Sequence, residues 1–450
     1  MKRIQSLDIL RGIGMLGLVF MHVFEQVGWI NITTMFEKEW YVWLPLGLFM
    51  YFASWKGVFL LISGVANAYG FQKAIENGKS PHKVLIQRLL WAIVLFFQGV
   101  LIQVFFNPWI GLYNVFRTKF LGNTGLVLWD ISGLQWSDAV ETIAVSIFIS
   151  TIIQYLLTLG KKKSKSWVAI GVFLILTVTV FVLTPYTITK IIDFFGWTSV
   201  TAIKSAAINN FGDRIRWLSL AIFIGHQMPL MPYLAIFFLG TGIGIALTNP
   251  KISKKPTLIV GYSLGMLFVV VAILLAAIKH DFSVGFGIIP NTWFLLLATG
   301  IQVWALTTFL WVFDFAKKAQ RRTKYTKIFR KAGLLSLTIF SLQSLDFFPR
   351  WILTVIYASF GQEINFTGHN VNLGLGHTFL ISIIVLLYWI GIILLWGLVN
   401  FTLSFDWLFE ILRRLSSGQK INWKDPMRSR EIIKKAEIVF QRSEELSEIG

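Results

Sequence analysis

The chain has no cysteine among its 450 residues. That excludes a disulfide scaffold, a cysteine zinc site, a thiolate nucleophile and a thioester relay on the protein itself. Charge is also scarce: Asp, Glu, Lys and Arg make up 14%, against about 25% in a soluble domain. Acidic residues are the rarer sign, 22 against 41 Lys+Arg. A soluble protein with so few charges would have too little polar surface, so an ordinary cytosolic enzyme is excluded. Disorder is excluded as well, because it needs low hydrophobicity and high charge. There is no glycine-rich phosphate loop and no Gly-x-Ser-x-Gly, so kinase and serine-hydrolase chemistry have no footing. The six histidines are too scattered for a metal site.

What the chain has instead is apolar surface: 55% hydrophobic residues, with 40 Phe, 19 Trp and 11 Tyr. This composition predicts an all-α, polytopic membrane helix bundle in the cell membrane, with the lipid bilayer as its surroundings. A spanning helix needs about 20 mostly apolar residues. Ten runs qualify, near 9–29, 44–70, 84–106, 137–159, 167–185, 230–248, 257–278, 292–314, 333–358 and 377–402. The second and ninth carry Lys56 and Pro349-Arg350, so tilting, kinking or breaking is expected there. The stretch 186–229 mixes charges with aromatics and suggests amphipathic helices at the interface. Domain organisation follows: a transmembrane domain over 1–402 and a cytoplasmic amphipathic tail over 403–450.

The net charge of +19 fits the positive-inside rule better than a nucleic-acid partner. Placing the basic N-terminus inside and alternating the spans puts 30 of the 41 Lys+Arg on the cytoplasmic side and 8 outside, with Arg11, Lys56 and Arg350 within spans. Both termini are therefore expected in the cytoplasm. Cysteines introduced at Lys162 and Gly450 should resist an impermeant thiol reagent in intact cells, and one at Asn123 should react. Labelling at Lys162 would overturn this topology.

The first span holds four ionisable residues, Asp8, Arg11, His22 and Glu25. Each is costly in a bilayer, by about 3 kcal/mol on insertion scales, and is a functional candidate by default. Arg11 and His22 are eleven residues apart, three turns plus about 20°, so they share a helix face at about 16 Å separation. Asp8 and Glu25 lie three residues from Arg11 and His22 on the same stripe. A cation at the inner mouth and a titratable imidazole deeper in suit chemistry between an anionic cytoplasmic donor and an outer acceptor. In the ninth run, Asp346 and Arg350 have the spacing of an i,i+4 ion pair.

Ser6-Leu7-Asp8-Ile9-Leu10-Arg11-Gly12, with His22 eleven residues past the arginine, resembles the opening of the membrane acyltransferases, the superfamily of the acyltransferase-3 and heparan-α-glucosaminide N-acetyltransferase-like proteins. Ser63-Gly64 in the second span and Gln87-Arg88-Leu89-Leu90 entering the third are similar to motifs of that group. Asp138 to Ala144, Pro229 to Gly240, Leu335 to Ser344 and Trp407 to Arg413 resemble its later helices more distantly. The first ninety residues carry most of the likeness.

The resemblance implies acyl transfer, often of acetyl, from cytoplasmic acyl-CoA to a hydroxyl or amine of a carbohydrate or glycolipid on the far side. No permanently bound cofactor or metal is implied; acyl-CoA is a substrate. Arg11, with Asp8, Ser63, Gly64 and Arg88, would hold the donor. His22 would deprotonate the acceptor or carry the acyl group, with Glu25 orienting it. Asp138, His226 and Gln343 are the candidates on the acceptor side. The alternative is a transporter or permease moving a small anionic solute with protons. Assembly into homo-oligomers stays open.

Overall fold

The computed structural model describes residues 3–27, 56–102, 138–159, 166–197, 211–225, 228–249, 254–279, 291–316, 318–362, 364, 366–367, 373–416, 418–423 and 425–435. The regular elements among them are helical. In chain order they begin with α1 (Gln5–Val27), α2 (Lys56–Glu76), α3 (Pro81–Leu101), α4 (Ala139–Thr158) and α5 (Ser166–Phe195). Then come α6 (Phe211–Phe223), α7 (Leu230–Thr248), α8 (Lys254–Lys279) and α9 (Thr292–Leu310), the last followed by a π-turn, Trp311–Phe315. Shorter pieces follow: α10 (Ala319–Lys324), α11 (Lys327–Leu334), α12 (Ser336–Ser341), a 3₁₀ turn (Gln343–Asp346) and α13 (Phe347–Ser359). The chain then forms α14 (Leu375–Trp396), α15 (Phe405–Ser416) and α16 (Ser429–Lys435).

Nine helices among the described residues are long and apolar enough to cross a membrane. The ninth expected span, 333–358, is broken, as expected of that run, into the end of α11, α12, the 3₁₀ turn and α13. The expected break at Pro349-Arg350 falls elsewhere: Pro349 sits in the first turn of α13, where a missing N–H costs nothing. The stretch after 185 also differs from expectation. Pro185 does not end α5, which runs on to Phe195, 30 residues in all, or about 45 Å.

The described residues fall into two compact units. Those within Met1–Trp55, Phe105–Asp130 and Val312–Gly450 form the first; those within Lys56–Val104 and Ile131–Trp311 form the second.

In the second unit α2 and α7 cross at glycines. A methyl group on Gly64 would run into the carbonyl of Phe237, and one on Gly240 into the carbonyl of Leu61. Gly244 lies 2.5 Å, measured from an added Cβ, from the carbonyl of Val65. Small residues spaced by four allow such close approach within a bilayer, where packing rather than water exclusion joins helices. The buried face of α4 is polar. Thr142, Ser146, Ser150 and Gln154 are each at most 1% exposed; Ser150 meets Thr241 of α7 at 3.0 Å, and the Thr151 hydroxyl accepts from Asn67 of α2 at 3.2 Å. The outer faces are apolar: α3 exposes Ile86, Leu90, Ile93, Phe97 and Leu101 at helical spacing, as a lipid-facing helix does.

The first unit is built on α1, which packs against α11 and α14. Gly12 and Gly333 mark its closest crossing. A methyl on Gly12 would run into the carbonyl of Phe329, and one on Gly333 into the carbonyl of Asp8. Further along, Phe20 and Phe24 pack on Phe379 of α14, with centroids 6.0 and 5.1 Å apart.

Candidate functional site

The N-terminus of α1 has no local cap: Ile4 precedes the helix and offers no side-chain acceptor. Asp314, in the π-turn, serves instead. Its two carboxylate oxygens accept from the backbone N–H of Gln5 at 2.8 Å and Ser6 at 2.9 Å. The carboxylate satisfies two of the four orphan donors of the helix start and complements its positive dipole end. The first turn of α1 is thereby fixed, and with it Asp8 and Arg11.

Asp8 is buried and sits between two arginines. Arg3 Nη2 approaches its Oδ1 at 3.1 Å and Arg11 Nη1 at 4.0 Å. Arg11 is partly exposed, and it lines a cavity of about 720 Å³ in the first unit. Six cationic side chains face this cavity: Arg3, Arg11, Arg413, Arg414, Lys420 and Arg428. Two acids, Asp406 and Glu410, also line it. The volume lies in the range of small-molecule pockets, and its lining carries more cationic than acidic side chains.

The Asp406 carboxylate accepts from the backbone N–H of Thr338 at 2.9 Å and from its hydroxyl at 2.7 Å. This ties the tail helix α15 to α12. Burial pushes the Asp406 carboxyl up to about 6, against the lowering pull of the Thr338 bonds and the Arg11 charge. A raised carboxyl favours the fold when protonated, so its contribution is full below about pH 4 and is lost as pH rises through about 6. Asp406→Asn cannot ionise. Its melting temperature should therefore rise relative to the parent protein between about pH 4 and about pH 6.5. A constant difference over that range would refute the assignment.

About three turns along α1 from Arg11, His22 is half-buried. Its Nδ1 meets Oε1 of Gln343, in the 3₁₀ turn, at 2.9 Å. With the amide oxygen facing the ring, the tautomer with its proton on Nδ1 can donate this bond and present Nε2 as the acceptor nitrogen. The other end of that amide, Gln343 Nε2, is buried with no hydrogen-bond partner among the described residues, as is the neighbouring Ser344 hydroxyl. An unpartnered buried donor costs about 1–3 kcal/mol, which a ligand oxygen would offset. Beyond His22, the buried Arg350 donates to Gln26 at 2.6 Å and to the carbonyl of Phe366 at 2.7 Å, while Asp346 accepts from the indole of Trp389. The final turn of α1 is thus held from α13.

No protein-family model matches this chain, and no curated protein matches it. The site is therefore defined by its own geometry.

Of the residues singled out in the sequence, Asp8 and Arg11 meet at one end of α1, and His22 and Gln343 meet further along it. Glu25 lies in α1, but its side chain is outside the described set, and His226 lies outside the described residues. The other four belong to the second unit. Gly64 is a packing contact of α2 with α7, and Ser63 precedes it. Arg88 lies over Gly70 of α2, where an added methyl would meet its guanidinium. Asp138 caps α4, its carboxylate accepting from Ala139 N–H at 2.7 Å while Glu141 accepts from the Asp138 N–H at 3.1 Å. That capping box gives Asp138 a structural task. Sequence reasoning missed Asp314, Asp406 and the tail cations. Asp314 did leave a signal, an acid inside the apolar run Trp311-Val312-Phe313-Asp314-Phe315. Asp406 and the tail cations left none, because charged residues in a tail usually face water.

Proposed function

We propose that the protein is a membrane acyltransferase that takes an acyl group, acetyl in the simplest case, from cytoplasmic acyl-CoA to a hydroxyl or amine of a carbohydrate. One observation carries the reading: a single helix, α1, presents Arg11 to a cationic cavity and, about 16 Å along, presents His22 with Nδ1 bound and Gln343 Nε2 unpartnered beside it. The cations hold the donor's phosphates, where arginine's planar fork fits best. His22 Nε2 takes the proton of the acceptor O–H or N–H as that atom attacks the thioester carbonyl. The carbon–sulfur bond breaks, and the sulfur leaves as CoA thiol with a proton. Gln343 Nε2 is the donor available to the carbonyl oxygen as charge develops on it.

Membranes containing the protein, given labelled acetyl-CoA, should transfer label to an extractable carbohydrate. Arg11→Ala should weaken acyl-CoA binding by about 10–100-fold, the range of a lost charge-assisted pair. Arg11→Lys should lose less, because it keeps the charge without the fork. Unchanged affinity in Arg11→Ala would leave Arg11 as a charge balanced by Asp8 and remove it from the donor site.

A further inference from the structure

Most of the lining of the cationic cavity comes from the tail, from α15 and the irregular segment that follows it. The acids there are engaged. Glu410 accepts from Arg413 at 2.7 and 2.5 Å and from Arg414 at 2.9 Å, and Asp406 accepts from Thr338. Lys420 and Arg428 differ, having no side-chain partner among the described residues although both line the cavity.

The backbone at Arg428 sharpens the point. Its φ is 51°, the left-handed region that favours glycine and penalises a Cβ. The conformation is held from both sides. Arg428 N–H donates to the carbonyl of Asp425 at 3.1 Å, and its own carbonyl accepts from Ile432 at 2.9 Å. The Asp425 carboxylate then accepts from the N–H of Ser429 at 2.8 Å and of Arg430 at 3.1 Å. The far end of the segment is fastened by Arg330, whose buried guanidinium donates to the carbonyls of Ile432 and Ile433. Arg430 adds a bond to Asn400 at 2.7 Å. The turn holds the exposed Arg428 in a conformation that glycine would adopt without strain, and that Asn400, Phe401 and Leu403 also adopt elsewhere in the tail region.

We infer that Lys420 and Arg428 form a phosphate-ester subsite of this cavity, binding a ligand end that bears two or more negative charges. The inference rests on the acyl-donor reading for the biological ligand, but the subsite can be tested without any transfer reaction. The same chemistry could be presented by a soluble phosphate ester or by the headgroup of an anionic lipid.

The test uses the full chain. Inorganic pyrophosphate binding is measured by calorimetry in detergent, and melting temperature is measured in nanodiscs of phosphatidylcholine with and without phosphatidic acid. The informative variant is Arg428→Gly, which relaxes the turn while removing the guanidinium. It should melt no lower than the parent protein yet bind pyrophosphate about tenfold more weakly, a loss that cannot come from misfolding. Lys420→Ala should weaken binding in the same direction, and both effects should shrink at high salt. If phosphatidic acid rather than pyrophosphate stabilises the parent protein, and Arg428→Gly removes that gain, the subsite holds and its ligand is a lipid headgroup. If neither probe acts on the parent protein, or if Arg428→Gly responds like it, the inference fails. Pyrophosphate binding that is sensitive to Arg428→Gly, in a protein that transfers no acetyl group, would sink the acyltransferase reading alone. Transfer with an unaltered Arg428→Gly affinity would sink the subsite alone.

Discussion

His22→Ala should reduce acyl transfer by about 10²–10⁴-fold, the usual loss on removing a general acid–base group, while acyl-CoA still binds. The reason is the division of labour along α1. The cavity that would hold the donor's phosphates is lined by Arg3 and Arg11 at the start of the helix, and the imidazole lies three turns away, bonded to Gln343. Removing the ring therefore leaves the anion site intact. His22→Gln should be as inactive, since an amide can fill the space and bond Gln343 but has no basic nitrogen. Gln343→Leu should lose activity less severely, because the imidazole survives but its tautomer is no longer fixed and the free donor is gone. Thermal stability measured on all three separates chemistry from packing: a structural histidine would lose activity only in proportion to stability. Near-native turnover in either His22 variant would take the centre out of the acyltransferase reading.

The second large effect concerns the fold and does not depend on function. Gly12→Ala and Gly333→Ala should each destabilise the protein by about 3 kcal/mol, the upper part of the range for overpacking. At both positions the new methyl meets a backbone carbonyl, of Phe329 and of Asp8. A carbonyl in a helix cannot swing aside as a side chain can, so α1 and α11 must part. Gly171→Ala is the control. It is helical, and its added methyl meets nothing within 4 Å, so it should be neutral or gain up to about 1 kcal/mol from helix propensity. Equal melting temperatures for Gly12→Ala and Gly171→Ala in detergent would mean that the close crossing does not exist.

The parts of this architecture legible in the sequence were those set by local pattern. Apolar runs of 19 to 30 residues became helices, because in a bilayer a helix is the economical way to satisfy every backbone group. The stripe of Asp8, Arg11 and His22 followed from helical periodicity alone. The run 333–358, expected to tilt, kink or break at Pro349-Arg350, does break, but N-terminal to that pair, into a chain of short elements. Its polar residues Thr338, Gln343 and Asp346 are all buried, and they bond to Asp406, His22 and Trp389 respectively. Such partners lie 43 to 321 residues away in sequence, beyond the reach of any local rule. The tail escaped for the same reason. Its amphipathic character was evident over 403–450, but nothing local shows that Asp406 meets Thr338 or that Arg428 lines a cavity.

The bond from Asp314 to the start of α1 spans 309 residues, which makes it a matter of timing during synthesis. Chains grow at about 5–20 residues per second, so Gln5 waits roughly 15–60 s after its own synthesis for its capping carboxylate to be made. Over that interval α1 has two of its leading N–H groups without their final partner. The nascent protein therefore carries its Asp8–Arg11 segment in an unfinished state until most of the chain exists. A ribosome-stalled chain ending before residue 314 should show faster amide exchange at Gln5 and Ser6 than one ending well beyond it, when both are held in nanodiscs. The arrangement makes the capping of the helix that bears Arg11 and His22, rather than its formation, a late act of assembly.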